Sequence, residues 1–445
     1  MATKAILTIN DASLSDRSDD IELAADCSRH HAKSKPKLER TVMRKIDRWL
    51  VGFYSLVYVF RVIDSANYSN AAIINLENGT GIKKQLGLTP SQWAWSLSIF
   101  SYSYMVFEPT NTLAMKVFSP SRWMFVLILG WGVCACSSAA AQDFGGMMCV
   151  RFAIGLAEAG FFPAVLYHMA FWYKPSEIPQ RIAIFYSVGQ LSPAVSGLLA
   201  YAIGFMDGLG GLAGWRWLFL LEGLPAILLS VVAFWLPDYP ETARMLTDDE
   251  RAFLQGRLGD TAPTGKKGHW DFESLKKLGR DPTFYTFSAY WICHGIGGFG
   301  IGTALPTVIY ELGFTTTSNS QLMNIPPYVC AFLFLNVLGH FLHKKTIRPW
   351  TTAVATVSCA GSAYPTIWPE RIRALEGTVA SGLGIGWTNA MAQFSGIAGP
   401  HVFSTVFGPT YYVSYGICLA FLSTAIVSIL TSWILVKRKD ERMRG

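Results

Sequence analysis

The sequence predicts an all-α polytopic membrane protein built from two helical halves. Of its 445 residues, 51% are apolar and only 15% are charged, and the mean hydropathy is +0.30. A soluble domain carries about 25% charged residues. The apolar residues also gather in runs of roughly 18–25, the length at which a helix crosses about 30 Å of hydrocarbon.

The apolar runs divide into six and about five, on either side of one long polar segment. We predict a disordered cytoplasmic tail at 1–48, a six-helix N-terminal half at 49–236, and a cytoplasmic linker at 237–283. An incomplete C-terminal half at 284–436 and a cytoplasmic tail at 437–445 follow. The predicted spans lie near 49–70, 92–115, 122–142, 148–172, 181–205, 215–236, 284–312, 325–343, 350–368, 377–399 and 410–436.

Loop charges predict that the N-terminus lies in the cytoplasm. Lys116 and Arg122 lie in the second loop, and Lys174 and Arg181 lie in the fourth, so both loops are predicted to be inside. The outer loops hold few charges, and the first contains an N-glycosylation sequon at Asn78. The net charge of +7 does not indicate a nucleic-acid partner, because the basic residues lie in short loops and not on one face.

The charge pattern breaks in the C-terminal half. Basic residues flank the run at 350–368 on both sides and favour the cytoplasm for both of its ends, which one crossing cannot satisfy. Eleven spans would also place the basic 437–439 segment outside. We therefore predict that the ninth of twelve helices is missing or truncated, with 346–370 re-entrant, distorted or a remnant. The alternative is a simple crossing with the C-terminal tail outside.

Four charged residues inside the predicted spans are the main candidates for chemistry, because charge within a membrane is costly. Arg61 and Asp64 lie three residues apart in the first span, and Arg151 and Glu158 lie seven apart in the fourth. Each spacing places both residues on one helix face. An arginine can grip a carboxylate and a buried acid can exchange a proton, as an anion/proton symporter requires. The alternative is a structural ion-pair network joining the two helices.

Further polar residues in the spans are weaker candidates. Asn67 in the first span and His294 in the glycine-rich seventh span are candidates for substrate binding, although a packing role for His294 is the alternative. We interpret Glu108 and Glu222 as structural acids. No phosphate loop, nucleophile motif or metal-ligand cluster occurs, so the sequence predicts no enzyme and no cofactor, with the proton gradient as the driving force.

Three stretches resemble the fungal allantoate permease family, anion:cation symporters of the major facilitator superfamily. They are IDSANYSNA at 63–71, RFAIGLAEAGFFPA at 151–164 and LPDYPETARMLTDDER at 236–251. The resemblance implies the major facilitator fold and proton-coupled uptake of a small carboxylate, vitamin-like acid or ureide by alternating access. It also implies a monomer in the lipid bilayer of the plasma membrane. Related carriers place an anion-binding Arg and a proton-coupling Glu at the positions of Arg151 and Glu158.

One position departs from the family pattern. The family has Asp-Arg in the first span, and here Asp64 is followed by Ser65. We hypothesise that Arg61, one turn earlier, replaces the missing arginine. Two other functions stay open at this stage: export of a fungal secondary metabolite, and a non-transporting sensor or inactive truncated product.

Overall fold

The computed structural model describes residues 38–174, 177–258, 276, 279–299, 322–323, 325–330, 333, 378–403, 407 and 410–444, and these residues contain helices and turns but no β-strand. The all-helical prediction is therefore confirmed over these ranges. The N-terminal tail before residue 38 and the predicted defect at the ninth helix, 346–370, lie outside the described residues.

The first helix, α1, spans Leu38–Ala71 and begins before the predicted start of the first span at residue 49. Val42, Ile46 and Leu50 recur every fourth residue and are buried, whereas Arg40 and Arg44 are exposed. This amphipathic spacing extends the helix beyond the apolar run. Hydropathy alone misses the extension, because the charged residues between the apolar ones lower the local average.

Seven further helices complete the N-terminal half as far as residue 233, and five more are described after it. The seven are α2 (Ile82–Gln85), α3 (Pro90–Val117), α4 (Pro120–Ser137), α5 (Phe144–Glu158), α6 (Phe161–Ala170), α7 (Ile178–Gly204) and α8 (Gly214–Ala233). The others are α9 (Asp248–Leu258), α10 (Pro282–Phe299), α11 (Thr378–Ala392), α12 (Phe394–Val402) and α13 (Tyr412–Arg444).

The fourth span consists of two helices, α5 and α6, separated by a break at residues 159–160. Asp143 caps the start of α5 by accepting a hydrogen bond from the Gly146 amide at 2.6 Å. Pro163 lies in the first turn of α6, where it has no N–H to offer the Ala159 carbonyl. The helix therefore stops at Glu158 and restarts, which leaves this acid at the C-terminal end of α5.

Six described helices are long and apolar enough to cross a membrane, which confirms the polytopic class. Side chains such as Val195, Leu228 and Leu419 are exposed on their outer faces, as hydrocarbon contact requires. The six are Leu38–Ala71, Pro120–Ala140, Phe144–Ala170, Gln180–Gly204, Gly214–Ala233 and Tyr412–Arg438.

Small residues let α4 and α8 approach each other closely. A Cβ at Gly132 would lie 2.9 Å from the Ile227 backbone nitrogen, and one at Gly223 would lie 2.7 Å from Cys136 Sγ. Within a membrane, helix association depends on such close packing, because lipid is as apolar as the side chains. Glycines of the sequence therefore lie at helix–helix contacts, where they allow this close approach.

Ion pairs attach the linker to the start of α1 and to the loop before α7. Arg257 at the end of α9 pairs with Glu39 at 2.9 Å and also with Glu177. Lys45 pairs with Glu250 at 2.6 Å, so both ends of α9 are fixed to α1. Burial raises the pKa of Glu177, but the hydrogen bonds and charge of Arg257 outweigh this and leave the pKa below its ordinary value.

Replacing Arg257 should release α9 from the helical bundle. Arg257→Ala removes charged hydrogen bonds to two partly exposed acids, a loss of roughly 1–2 kcal/mol. We expect trypsin to cleave at Arg251 roughly 5- to 30-fold faster in the variant, as such a free-energy change implies.

Arg244→Ala is the matched control, since Arg244 is an exposed arginine of the same linker. Because the pKa of Glu177 is lowered, the difference in α9 hydrogen exchange between wild type and Arg257→Ala should persist at neutral pH. It should disappear as the pH falls through that lowered pKa. Equal cleavage of the two variants would contradict the role of Arg257.

Candidate functional site

The four charged residues predicted from the sequence lie close together inside the N-terminal half. Asp64, Arg151 and Glu158 are only 5%, 7% and 2% exposed, and the Arg61 side chain is 17% exposed. Two of the residues come from α1 and two from α5. The structure thus brings all four residues together. The ion pair, however, joins Arg61 of α1 to Glu158 of α5, and not two residues of the same helix.

Arg61 forms an ion pair with Glu158 and so joins α1 to the end of α5. The Arg61 guanidinium also lies 5.8 Å from the Tyr58 ring centre and 5.7 Å from that of Tyr104. Ser65, which stands where the family has arginine, is exposed. Arg61 therefore serves as the counter-ion of Glu158 in this conformation.

Asp64 is held by an indole that the sequence analysis did not select. Trp131 Nε1 of α4 donates a hydrogen bond to Asp64 Oδ2 at 2.8 Å, and the Trp131 side chain is 2% exposed. A buried tryptophan N–H needs a hydrogen-bond acceptor. The sequence signal for this contact was therefore a tryptophan next to a glycine in the middle of an apolar span. The bond fixes the Asp64 carboxylate between α1 and α4.

Arg151 has aromatic neighbours and, among the described residues, no carboxylate within ion-pair distance, although Asp64 and Glu158 act on it electrostatically. Its guanidinium lies 4.2 Å from the ring centre of Tyr68 and 4.8 Å from that of Phe100. Its Nε donates to the Ser96 carbonyl at 3.4 Å. Trp93 stacks on Tyr68 with ring centres 4.4 Å apart, and the Tyr68 hydroxyl and Ser96 Oγ lie 2.5 Å apart. The aromatic rings fix the arginine without neutralising it.

Asn67 lies one turn beyond Asp64 and is fully buried. Ser196 Oγ of α7 donates to Asn67 Oδ1 at 3.1 Å, and the Asn67 amide lies close to Glu222 of α8. Asn67 therefore connects three helices beside the charged residues. This position is equally suited to a structural role and to ligand contact.

His294 lies in the C-terminal half, on α10. It is 7% exposed and stacks on Tyr290, with ring centres 5.4 Å apart and planes 9° apart. No contact found among the described residues joins it to the four charged residues. No cluster of three His, Cys, Asp or Glu side chains able to hold a metal occurs in the described part of the chain.

Asn78 is exposed in the loop between α1 and α2, where a glycosylation acceptor must be. The hydroxyl of Thr80, which completes the sequon, donates to Asp207 Oδ2 at 2.7 Å. Glycosylation at this position stays a prediction.

The comparisons agree with this architecture. The family model described as Major Facilitator Superfamily matches residues 55–421. The MFS transporter prlL of a fungal species (strain NRRL 50135) is 30% identical over 74% of this chain and 67% of its own length. An uncharacterized transporter of Schizosaccharomyces pombe, C1683.12, is 28% identical over 71% of this chain and 64% of its own length. The chain thus spans about two thirds of these fungal relatives.

More distant proteins match along more of their length. A protein of Agrobacterium vitis named "Putative tartrate transporter" is 26% identical over 91% of this chain and 96% of its own length. Among solved structures, the human organic anion transporter MFSD10 has a TM-score of 0.56 at 12% identity, covering 87% of this chain and 99% of that one. A bacterial homologue of the human lysosomal transporter Spinster, in an inward-facing conformation, also has a TM-score of 0.56, at 15% identity and 87% and 94% coverage.

The Arg61–Glu158 pair should behave as a buried ion pair in a double-mutant cycle. Arg61→Met leaves Glu158 charged and buried without its counter-ion, which should lower stability by roughly 3 kcal/mol. Glu158→Leu should have a similar cost. The double variant should recover much of the loss, because it replaces the pair by two apolar side chains.

The measurement is thermal and chemical unfolding of all four proteins in detergent, from which the coupling energy follows. Losses that simply add in the double variant would contradict a direct pair.

Proposed function

Since the chain belongs to the major facilitator superfamily of multi-pass membrane transporters, we propose that it carries a small organic anion whose acidic group binds Arg151. The observation that carries this proposal is a buried guanidinium beside two aromatic rings, with Asp64 and Glu158 acting on it electrostatically but no carboxylate in direct contact among the described residues. A charge removed from water is costly unless it is paired. An anionic ligand supplies the missing partner, and the arginine fork fits a carboxylate through two hydrogen bonds.

Proton coupling is assigned to Glu158, with Asp64 as the second acid. Both carboxylates are buried within the same charged cluster as Arg151, and Glu158 is bonded to Arg61. Protonation of Glu158 removes the charge that holds Arg61, so one proton changes the pairing of the cluster. This supports proton-driven uptake across the plasma membrane by alternating access. The tartrate named for the Agrobacterium relative is a small carboxylate of the proposed class.

The proposed substrate class follows from the resemblance to the fungal allantoate permease family. The stretches at 63–71 and 151–164 that carry this resemblance also contain all the proposed site residues except Arg61 and His294. We propose a vitamin-like acid, a ureide or another small carboxylate as the ligand, and a monomer as the working unit. Because Arg61 is ion-paired with Glu158, we propose it as the counter-ion of that acid and not as a substrate contact.

Arg151→Ala should strongly weaken uptake at low substrate concentration while leaving the protein at the cell surface. The chain would be expressed in cells that lack their own carboxylate permeases, and labelled carboxylates would be offered at acidic and neutral pH. Loss of a buried charged contact of 2–3 kcal/mol predicts a roughly 30- to 150-fold weaker apparent affinity. Arg151→Lys should retain part of the activity, since it keeps the charge and loses the fork.

Arg122→Ala is the control, because Arg122 is an exposed arginine at the start of α4. Normal uptake by Arg151→Ala would refute the assignment. Outward movement of the label from preloaded cells, without acid-stimulated uptake, would favour the export alternative.

Glu158→Gln should separate proton coupling from substrate binding. Glutamine keeps the shape and a hydrogen-bonding oxygen but cannot ionise, so acid stimulation of uptake should disappear. Exchange of labelled for unlabelled substrate, which needs no net proton movement, should continue. Glu241→Gln, in the exposed linker, is the control. If the pH profile of Glu158→Gln matched that of the wild type, another group would carry the proton.

A further inference from the structure

One side of α1 carries three exposed arginines before the helix enters its apolar run. Arg40, Arg44 and Arg48 follow each other at four-residue steps, and each of them is exposed. Residues four apart are neighbours on a helix surface, so the three side chains form one row. Val42 and Ile46, on the other side of the helix, are fully buried in the apolar core. We call the row of Arg40, Arg44 and Arg48 the arginine stripe.

The acids of the same segment of α1 are bonded to basic residues of other helices. Glu39 pairs with Arg257 of α9 at 2.9 Å, and Asp47 pairs with Arg181 of α7 at 2.8 Å. Within the part of the chain that the structure describes, no carboxylate forms an ion pair with an arginine of the stripe. The exposed side of α1 therefore presents three positive charges to its surroundings.

The length of α1 places the arginine stripe at the membrane surface. The helix has 34 residues, which gives it a length of about 51 Å. Its predicted apolar run at 49–70 fills the ~30 Å hydrocarbon core, so residues 38–48 project beyond the core by about 16 Å. The polar layer on each side of the core is about 5–8 Å thick. Arg48 and Arg44 therefore lie within this layer, and Arg40 lies beyond it, from where its long side chain can reach back.

The residues that follow the stripe indicate that this side of α1 faces lipid. Trp49, directly after Arg48, is 42% exposed, and tryptophan is typical of the boundary between hydrocarbon and headgroups. Gly52 and Leu56 continue from Arg48 at four-residue steps and are exposed as well. A leucine that is 46% exposed within a membrane-spanning segment contacts hydrocarbon. The arginines that precede it on this side therefore lie next to lipid headgroups.

We propose that the arginine stripe binds the phosphate groups of anionic phospholipids in the cytoplasmic leaflet, where the predicted topology places it. This leaflet carries negative charge, and each basic residue at its surface strengthens the attraction about 5-fold. The guanidinium fork fits phosphate oxygens through two hydrogen bonds. The position within the headgroup layer favours a lipid over free phosphate. This lipid site is independent of the proposed anion and proton sites, although it fixes the cytoplasmic end of the helix that carries Arg61 and Asp64.

Trp49 can report which lipid lies beside the stripe. The full-length protein would be reconstituted in phosphatidylcholine vesicles that contain a minor fraction of phosphatidylserine, with bromine on the acyl chains of one lipid or the other. Bromine close to an indole quenches its fluorescence, and the Trp49→Phe variant supplies the signal of the other tryptophans for subtraction. We expect brominated phosphatidylserine to quench Trp49 more strongly than an equal mole fraction of brominated phosphatidylcholine.

Neutralising the stripe should remove this preference for phosphatidylserine. Arg44→Gln and Arg48→Gln should each lower the relative affinity about 5-fold, with a smaller loss for Arg40→Gln, and the triple variant should show no preference. Arg44→Lys combined with Arg48→Lys should retain most of it, because the charge stays. High salt should weaken the preference of the parent, because exposed charges are screened. Arg244→Gln, at an exposed arginine of the linker, is the matched control.

Equal quenching by the two brominated lipids in the parent overturns the lipid site, as does a triple variant that keeps the parent's preference. The competing occupant is segment 16–26 of the same chain, which holds five acids. A preference that appears only when Asp19→Asn, Asp20→Asn and Glu22→Gln are combined assigns the stripe to that segment and also overturns the lipid site. Thermal unfolding establishes that each variant folds. Where one does not, the salt series of the parent decides, and a preference that salt leaves unchanged contradicts the site.

Discussion

Glu158 ends α5 inside the N-terminal half, and Arg61 of α1 meets it there. A buried ion costs several kcal/mol after relaxation. The C-terminal end of a helix also carries partial negative charge, which disfavours an acid. Arg61 offsets both costs, and it can do so only if α1 and α5 lie side by side. The break at 159–160, which Pro163 favours, leaves Glu158 at the end of α5, and the ion pair with Arg61 then holds α1 beside α5.

Arg151 shows how the same residue type acquires a different role from its neighbours. Arg61 has a carboxylate bonded to it, whereas Arg151 has the rings of Tyr68 and Phe100 and one backbone carbonyl. Aromatic faces attract a cation more weakly than a carboxylate does, and they leave the ends of the guanidinium available. The first arginine therefore holds two helices together, whereas the second is the one to which we assign the proposed ligand.

The sequence was sufficient for the long apolar helices of the N-terminal half and for the four charged residues of the candidate site, because hydrocarbon imposes strict length and charge rules. It was insufficient for the pairing. Spacing along one helix shows which residues share a face, so it grouped Arg61 with Asp64. It does not show which residue of a neighbouring helix lies against that face. Trp131 was missed for the same reason: it matters through Asp64 on another helix, at a sequence separation that no periodicity records.

Arg61 also links the acids that surround the proposed anion site. It is bonded to Glu158, and its charge acts on Glu108. A ligand shifts a conformational equilibrium only by interacting differently with its two states. At the proposed anion site, an anion bound to Arg151 would weaken the support that Arg151 gives to the charge of Glu158, so occupancy of the proposed anion and proton sites would be mutually favourable. With Glu158 neutral, Arg61 would retain Asp64 and Glu108 as acidic neighbours, so the charge of this arginine would act on the acids on either side of it.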